Sequence, residues 1–139
     1  MSHPIPIPKY NILIKLTIEE GLNLINPPFT RKNESKIKEI NGIKFKVTST
    51  KLRTYLLKGT ECYRCGKRAD FFAIVNGKHQ EPFLEMFKFD NRDKNRTPIP
   101  FTQDHIIPLS KGGGRRNMGN LQPLCYVCNQ QKRDENVFS

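Results

Sequence analysis

Between residues 11 and 18 the apolar side chains fall on every second position: Ile12, Ile14, Leu16 and Ile18. That period predicts a strand with one face toward a core, and a helical turn starting at Thr17 competes for its end. Asn26-Pro27-Pro28 breaks the chain, and a polar linker runs on to Lys36. Asn41-Gly42 is a two-residue hairpin signal. It sets Ile40 opposite Ile43 and Glu39 opposite Lys44, with Phe45 and Val47 extending the apolar face. Thr48 or Ser49 can then cap a short helix that keeps Leu52, Tyr55 and Leu56 on one side and stops at Gly59. Phe71 to Val75 reads as a strand, Asn76-Gly77 repeats the hairpin signal, and Phe83 to Phe89 is a second apolar stretch. Asp90 to Arg96 is a charged turn, and Pro98 and Pro100 delimit a further strand.

The 139 residues suit one domain with an appended arm. No apolar run approaches the roughly 20 residues needed to span a bilayer. The Pro-rich start, Met1 to Lys9, lacks the apolar segment of a signal peptide, so the expectation is a soluble, cytoplasmic protein with no membrane partner. Lys and Arg number 24 against 13 Asp and Glu, an excess of 11. This excess points to a polyanion, and nucleic acid is the commonest one.

The four cysteines form two Cys-x-x-Cys pairs, Cys62/Cys65 and Cys125/Cys128, with none left over. Each pair can present two sulfurs to one tetrahedral zinc ion, and a reducing compartment favours metal over disulfide. Buried free thiols and a disulfide oxidoreductase are the competing readings. Two matched pairs seldom arise by chance, and no βαβ context surrounds either one. Four thiolates leave zinc no open position, so one structural ion per chain is expected.

Between and around these pairs runs the densest chemistry. Asp104-His105-Ile106-Ile107-Pro108 is followed by the Gly112–Gly114 loop, Asn120-Leu121, the second Cys pair and Asn129-x-x-Lys132. A strand over Gln103 to Leu109, a second over Asn120 to Leu124 and a helix over Cys125 to Asp134 would bring the two ends of this unit together. Adjacent strand residues point to opposite faces, however, so periodicity alone sends Asp104 and His105 apart. His105 suits general-base work near neutral pH, and Asp104 and Asn129 offer hard oxygen ligands.

In order and spacing this stretch resembles the HNH family of nucleases, part of the ββα-metal superfamily. The resemblance covers about 32 residues in its core, and the first Cys pair extends it upstream. It implies an α+β fold: a ββα-metal core stapled by a four-cysteine zinc site, over residues 59–139. Residues 1–58 would add a strand, a hairpin and a short helix. It also implies a divalent-metal-dependent endonuclease acting on DNA, double-stranded by preference, and leaving a 5′ phosphate and a 3′ hydroxyl. His105 would be the base, Asp104 and Asn129 the ligands of Mg²⁺ or Mn²⁺, and Asn120 a brace that orients the His. By that resemblance Asp104 and His105 reach one site. Many members place His where this chain has Asn129. Lys111, Arg115, Arg116, Lys132 and Arg133 are the candidate phosphate contacts, with Arg64, Lys67, Arg68 and the Lys44/Lys46 face as outlying candidates. A non-catalytic, zinc-stabilised nucleic-acid-binding module on the same scaffold is the alternative. A zinc-stabilised protein adaptor is a third reading, and it leaves the basic charge unexplained. Small size and Lys/Asn-rich composition fit a phage or mobile-element gene.

Overall fold

The computed structural model describes residues 6–25, 37–47, 49–90, 92, 94–114 and 118–138. Strand β1 spans Asn11–Leu16 and helix α1 spans Ile18–Ile25. The strand predicted to reach Ile18 therefore stops two residues early. Thr17 and Glu20 explain the stop. The Thr17 amide donates to Glu20 Oε1 at 2.9 Å, and the Glu20 amide donates to Thr17 Oγ1 at 3.1 Å. This reciprocal capping box satisfies two of the helix's free amides. The predicted one-faced alternation holds for Ile14, Leu16 and Ile18, which all pack against the main core, and fails at Ile12. The pairing register with β4 (Phe71–Asn76) shifts between Ile12 and Ile14. Such a bulge resets which side faces in, so Ile12 and Leu13 are both exposed, while Ile14 is half-buried against the core and Leu16 is buried in it. Gly21 lets α1 lie directly on the sheet, because a Cβ there would overlap the Phe72 ring.

The Asn41-Gly42 hairpin forms in the expected register. Strand β2 (Ile37–Ile40) pairs with β3 (Ile43–Lys46), with Ile40 opposite Ile43 and Glu39 opposite Lys44. Asn41 and Gly42 have φ of 51° and 79°, the left-handed pair that a primed turn requires. Helix α2 (Thr50–Lys58) starts at Ser49, whose Oγ accepts the Leu52 amide at 3.0 Å, and it ends at Gly59, with φ of 110°. Asn26 to Lys36 and Thr48 lie outside the described residues.

Strand β4 pairs with β5 (Phe83–Phe89), but not through a two-residue turn at Asn76-Gly77. Val75 pairs with Phe83, so a longer loop intervenes. The loop's left-handed residue is His79, with φ of 61°; Gly77 instead accepts the Gln80 amide on its carbonyl at 3.2 Å. Strand β6 (Pro98–Pro100) pairs with β5. The resulting sheet runs β1-β4-β5-β3-β2 with β6 beside β5, so strands from before and after residue 58 share it. Phe72, Ile74, Leu84 and Met86 project from one face into the main core. There they meet Ile25 of α1, Leu52 and Tyr55 of α2, and Phe101. Each such side chain, fully buried, is worth about 1.5–3 kcal/mol. Buried Glu85 of β5 pairs with Lys51 of α2 at 2.8 Å, and burial still holds its carboxyl above the usual range.

The last third of the described chain builds a strand–strand–helix unit. Strand β7 (Thr102–His105) pairs with β8 (Leu121–Leu124) in a separate two-stranded sheet, and α3 (Tyr126–Phe138) follows at once. Strand β7 is shorter than predicted because Pro108, which has no amide hydrogen, opens a 3-10 turn over Leu109–Lys111. Leu124, Cys125 and Cys128 are buried in the main core, so α2, β8 and α3 share one packing unit with the large sheet. The fold is α+β. No helix of the described residues is long and apolar enough to cross a membrane.

Candidate active site and metal cluster

The two Cys-x-x-Cys pairs converge across 59 intervening residues. The four sulfurs all lie within 4.8 Å of one another, and Cys65 and Cys125 Sγ are 3.9 Å apart. Tetrahedral thiolates at about 2.3 Å from zinc stand roughly 3.8 Å apart, so the spacing fits that ion. Backbone bonds preset the cluster. The Cys62 amide donates to the Lys67 carbonyl at 2.8 Å, and the Tyr63 amide ties the first pair to Pro123 of β8 at 2.9 Å. Cys62, Cys125 and Cys128 are buried; Cys65 is exposed. Burial raises the Cys62 thiol, but amides of Cys125, Cys65 and Arg64 directed at it win and bring its pKa down to about 7. Burial holds Cys125 and Cys128 above the ordinary thiol value. Four cysteines so placed can hold a metal such as zinc.

On the neighbouring side of α3 lies an open cleft of about 360 Å³, lined by Asp104, His105, Pro108, Leu109, Asn129, Lys132 and Arg133. Asp104 and His105, neighbours on one strand, both line this cleft. Asp104 turns toward α3, where its Oδ2 accepts Lys132 Nζ at 2.5 Å and Gln122 Nε2 at 3.0 Å. His105 is the last residue of β7, paired opposite Leu121 of β8. Lys132 Nζ also donates to the His105 carbonyl at 3.1 Å. Asn129 enters from the first turns of α3. Its Nδ2 donates to Thr102 Oγ1 at 2.9 Å, and the Thr102 hydroxyl donates to the Leu124 carbonyl. A hydroxyl whose only proton is committed can do nothing but accept from Asn129. Thr102 thus fixes which way round the amide sits and assigns Oδ1 to the acceptor end.

The loop between β7 and β8 is braced by Asn120, which is buried. Its Oδ1 accepts the Ile107 amide at 2.7 Å, and its Nδ2 donates to the carbonyls of Ile107 and Gly114 at 3.0 Å each. The Asn120 backbone carbonyl also accepts the Ile106 amide, at 2.9 Å. Gly113 permits this closeness, since a Cβ there would overlap the Ile107 carbonyl.

A family model described as HNH endonuclease matches residues 90–135. The matched residues are a third of the chain, and it is in them that the chain is similar to the HNH endonuclease family. The match takes in β6, β7, the braced loop, β8, the second Cys pair and Asn129-x-x-Lys132. No curated protein and no solved structure matches the chain.

Around the HNH segment the candidate phosphate contacts divide. Lys111 and Arg133 are exposed, and Arg133 lines the cleft. Lys132 is held against Asp104. Arg115 and Arg116 lie outside the described residues, as does His3. Arg64 pairs with Glu135 and Arg68 with Glu61, while Lys46 stands 3.9 Å from Glu81. Lys44 and Lys67 are exposed. Sequence reasoning missed Thr102 and Gln122. Both act through cross-strand or helix contacts that no local spacing encodes.

Proposed function

We propose that the chain is a divalent-metal-dependent endonuclease that hydrolyses phosphodiester bonds in double-stranded DNA. The observation that carries this reading is the convergence of Asp104, His105 and Asn129 on one cleft of a strand–strand–helix unit braced by Asn120. His105 takes the proton of the attacking water on an imidazole nitrogen. Asn120, bonded on both sides of Ile107, holds the chain leaving His105 and so keeps the ring in place. Thr102 presents the Asn129 amide oxygen, and Gln122 steadies the Asp104 carboxylate. A carboxylate that already draws an ammonium to 2.5 Å, beside a second hard oxygen donor, fits a hard dication. Mg²⁺ or Mn²⁺ held by Asp104 and Asn129 would stabilise negative charge on the phosphorane and on the leaving 3′ oxygen. Lys111, Arg115, Arg116 and Arg133 bind flanking phosphates and fix register. We assign the nuclease unit to residues 59–139, with 1–58 as an extension, and one structural zinc to Cys62, Cys65, Cys125 and Cys128.

The test is plasmid nicking by protein purified without added chelator. Supercoiled DNA should relax with Mg²⁺, stop relaxing when EDTA is added at mixing, and resume when Mg²⁺ is restored. The Lys132–Asp104 pair favours one rival, a non-catalytic nucleic-acid-binding module whose carboxylate is permanently neutralised. Failure of every divalent metal to support nicking would select it.

Two further outcomes follow from the charges in the cleft. DNA affinity should fall steeply with salt, since each phosphate contact releases condensed counterions. Replacing Lys111 and Arg133 together by Ala should reduce the log–log salt slope by about 1.8, at roughly 0.9 per phosphate; an unchanged slope would remove both from the footprint. Lys132 competes with metal for Asp104. Lys132→Ala should therefore lower the Mg²⁺ concentration for half-maximal cleavage by about tenfold, the worth of one charge-assisted hydrogen bond. A higher Mg²⁺ requirement would show that Lys132 supports the metal site instead.

A further inference from the structure

A cavity of about 240 Å³ lies beside the cysteine cluster, on the far side of α3 from the cleft. Val127, Cys128 and Gln131 of α3 line it, whereas Asn129, Lys132 and Arg133 line the cleft. At about 100° per residue these two sets fall on opposite sides of the helix. The cavity is therefore a separate place, about one helix diameter (10–12 Å) from the reacting centre, and nothing in the proposed reaction uses it. Its volume falls just below the roughly 300–1,000 Å³ of sites for drug-sized ligands. That suits a single ring system.

The lining divides by chemistry. Buried Ile99 and half-buried Tyr126 and Val127 supply apolar surface. Cys65, Cys125 and Cys128 also contribute. As thiols or as thiolates on a metal, their sulfurs offer an anion no attraction. The cations are Lys67, Lys88 and Arg92, and Asp90 is the one carboxylate among the described lining residues. Lys88 is largely buried and stands 3.9 Å from Asp70 Oδ2. Asp90 is committed to Arg92: its Oδ1 accepts Arg92 Nε at 2.9 Å, and its Oδ2 accepts Nη2 at 3.1 Å. The Arg92 side chain is still 62% exposed, and a guanidinium has five donors, so others are left for a ligand. Lys67 is exposed and makes no ion pair among the described residues. Both exposed cations start from fixed backbone. The Lys67 carbonyl accepts the Cys62 amide at 2.8 Å, and the Arg92 amide donates to Asp90 Oδ1 at 3.0 Å. The ligand that fits has a flat apolar body for the interior and an anionic group for the exposed cations. Exposed Gln131 adds an amide that both donates and accepts, which suits the polar edge of a base.

We infer that this cavity is a second binding site, one that takes a single unpaired nucleotide with its base against Ile99, Tyr126 and Val127 and its phosphate on Lys67 and Arg92. The choice of a nucleotide rests on the reading of the cleft as a nucleic-acid site. A paired base is closed to such a cavity, so the ligand comes from a single-stranded tail of the substrate or from a free mononucleotide. A chain that holds an unpaired nucleotide on one side of α3 and a duplex on the other selects tailed or gapped DNA over blunt duplex.

The test uses the full, zinc-loaded chain in the His105→Ala background, so that nothing is cut. Affinity is measured for a blunt duplex, for the same duplex with a short single-stranded tail of deoxyadenosine nucleotides, and for one whose tail is abasic. Equilibrium dialysis with dAMP is run alongside. The adenosine tail should tighten binding about tenfold over the blunt duplex, the usual worth of one base stacked on an aromatic side chain, and the abasic tail should give much less. Lys67→Gln should reduce the log–log salt slope for the tailed duplex by about 0.7, one single-strand phosphate, and leave the blunt duplex unchanged. Gln131→Trp, placed at an exposed position to fill the cavity, should erase the tail preference while metal content and melting temperature hold. Binding of dAMP, lost in Gln131→Trp, without a tail preference would keep the site and make the free nucleotide its ligand. Equal affinity for all three duplexes with no dAMP bound would overturn the inference alone. So would an abasic tail as good as the adenosine tail, or both variants behaving like the parent. A tail preference in a protein that, with His105 restored, never cuts would instead overturn the nuclease reading and leave this site standing.

Discussion

His105→Ala should lose at least ~10²-fold in cleavage rate, the usual scale for removing a general base. DNA affinity, metal content at the cysteines and melting temperature should stay at wild-type values. The separation is physical. His105 ends β7 at the rim of an open cleft, whereas the cysteine cluster lies in the main core. Asp104→Ala should also stop cleavage, but through lost metal affinity, so raised Mg²⁺ should recover part of the rate. Asn129→Ala should fail in the same way. Asn129→His should keep measurable activity and move preference toward softer ions such as Mn²⁺ or Ni²⁺, because an imidazole nitrogen is the softer ligand. Single-turnover rates on a defined duplex, with binding measured in parallel, check the set. His105→Ala cutting at the wild-type rate in a contaminant-free preparation would remove His105 from the chemistry.

The second large effect belongs to the cysteines. Cys128→Ser should strip the metal and most of the stability together. Structural zinc contributes about 10 kcal/mol or more of apparent binding free energy, which is comparable to the whole stability of a small domain. Buried Cys62, Cys125 and Cys128 belong to the same cluster as Leu124, Phe101 and Tyr55, so loss of the ion should propagate into α2 and β8. Elemental analysis should find about one zinc per chain in the native protein, and the variant should show a non-cooperative or strongly lowered thermal transition. Cys65→Ser is the informative companion. Its side chain is exposed, so its loss creates no core cavity, and any destabilisation reports the metal rather than packing. A native protein that is metal-free and fully stable would contradict the zinc assignment.

Much of the fold was legible where the chemistry is local. Asn41-Gly42 fixed a hairpin register, Ser49 and Gly59 bounded α2, and paired Cys-x-x-Cys spacing announced the four-cysteine cluster. The misses have physical causes too. The alternation at Ile12–Ile18 hid a bulge and a capping box, although Thr17 and Glu20 were in plain view for the latter. Asn76-Gly77 carried the same letters as the first hairpin, yet Gly77 has no positive φ and the left-handed residue is His79. The order of the large sheet, in which β4 and β5 sit between β1 and β3, depends on long-range pairing that no window of sequence encodes. At the candidate site, residue types and order were readable. The placing of Asp104 and His105 along one cleft was not, because the pleat of an ideal strand sends neighbouring side chains apart. Nor were Thr102 and Gln122, whose value lies in what they orient.

Cut-site mapping on an end-labelled duplex tests the nuclease reading most directly. The zinc-loaded wild-type chain, its Asp104→Ala variant and its His105→Ala variant are compared with Mg²⁺ present. The prediction is discrete cuts by the wild type alone under limiting Mg²⁺, leaving 5′ phosphate and 3′ hydroxyl ends that a ligase can reseal. Identical cutting by all three proteins, or no cutting by the wild type with any divalent ion while it still binds the duplex, would contradict it.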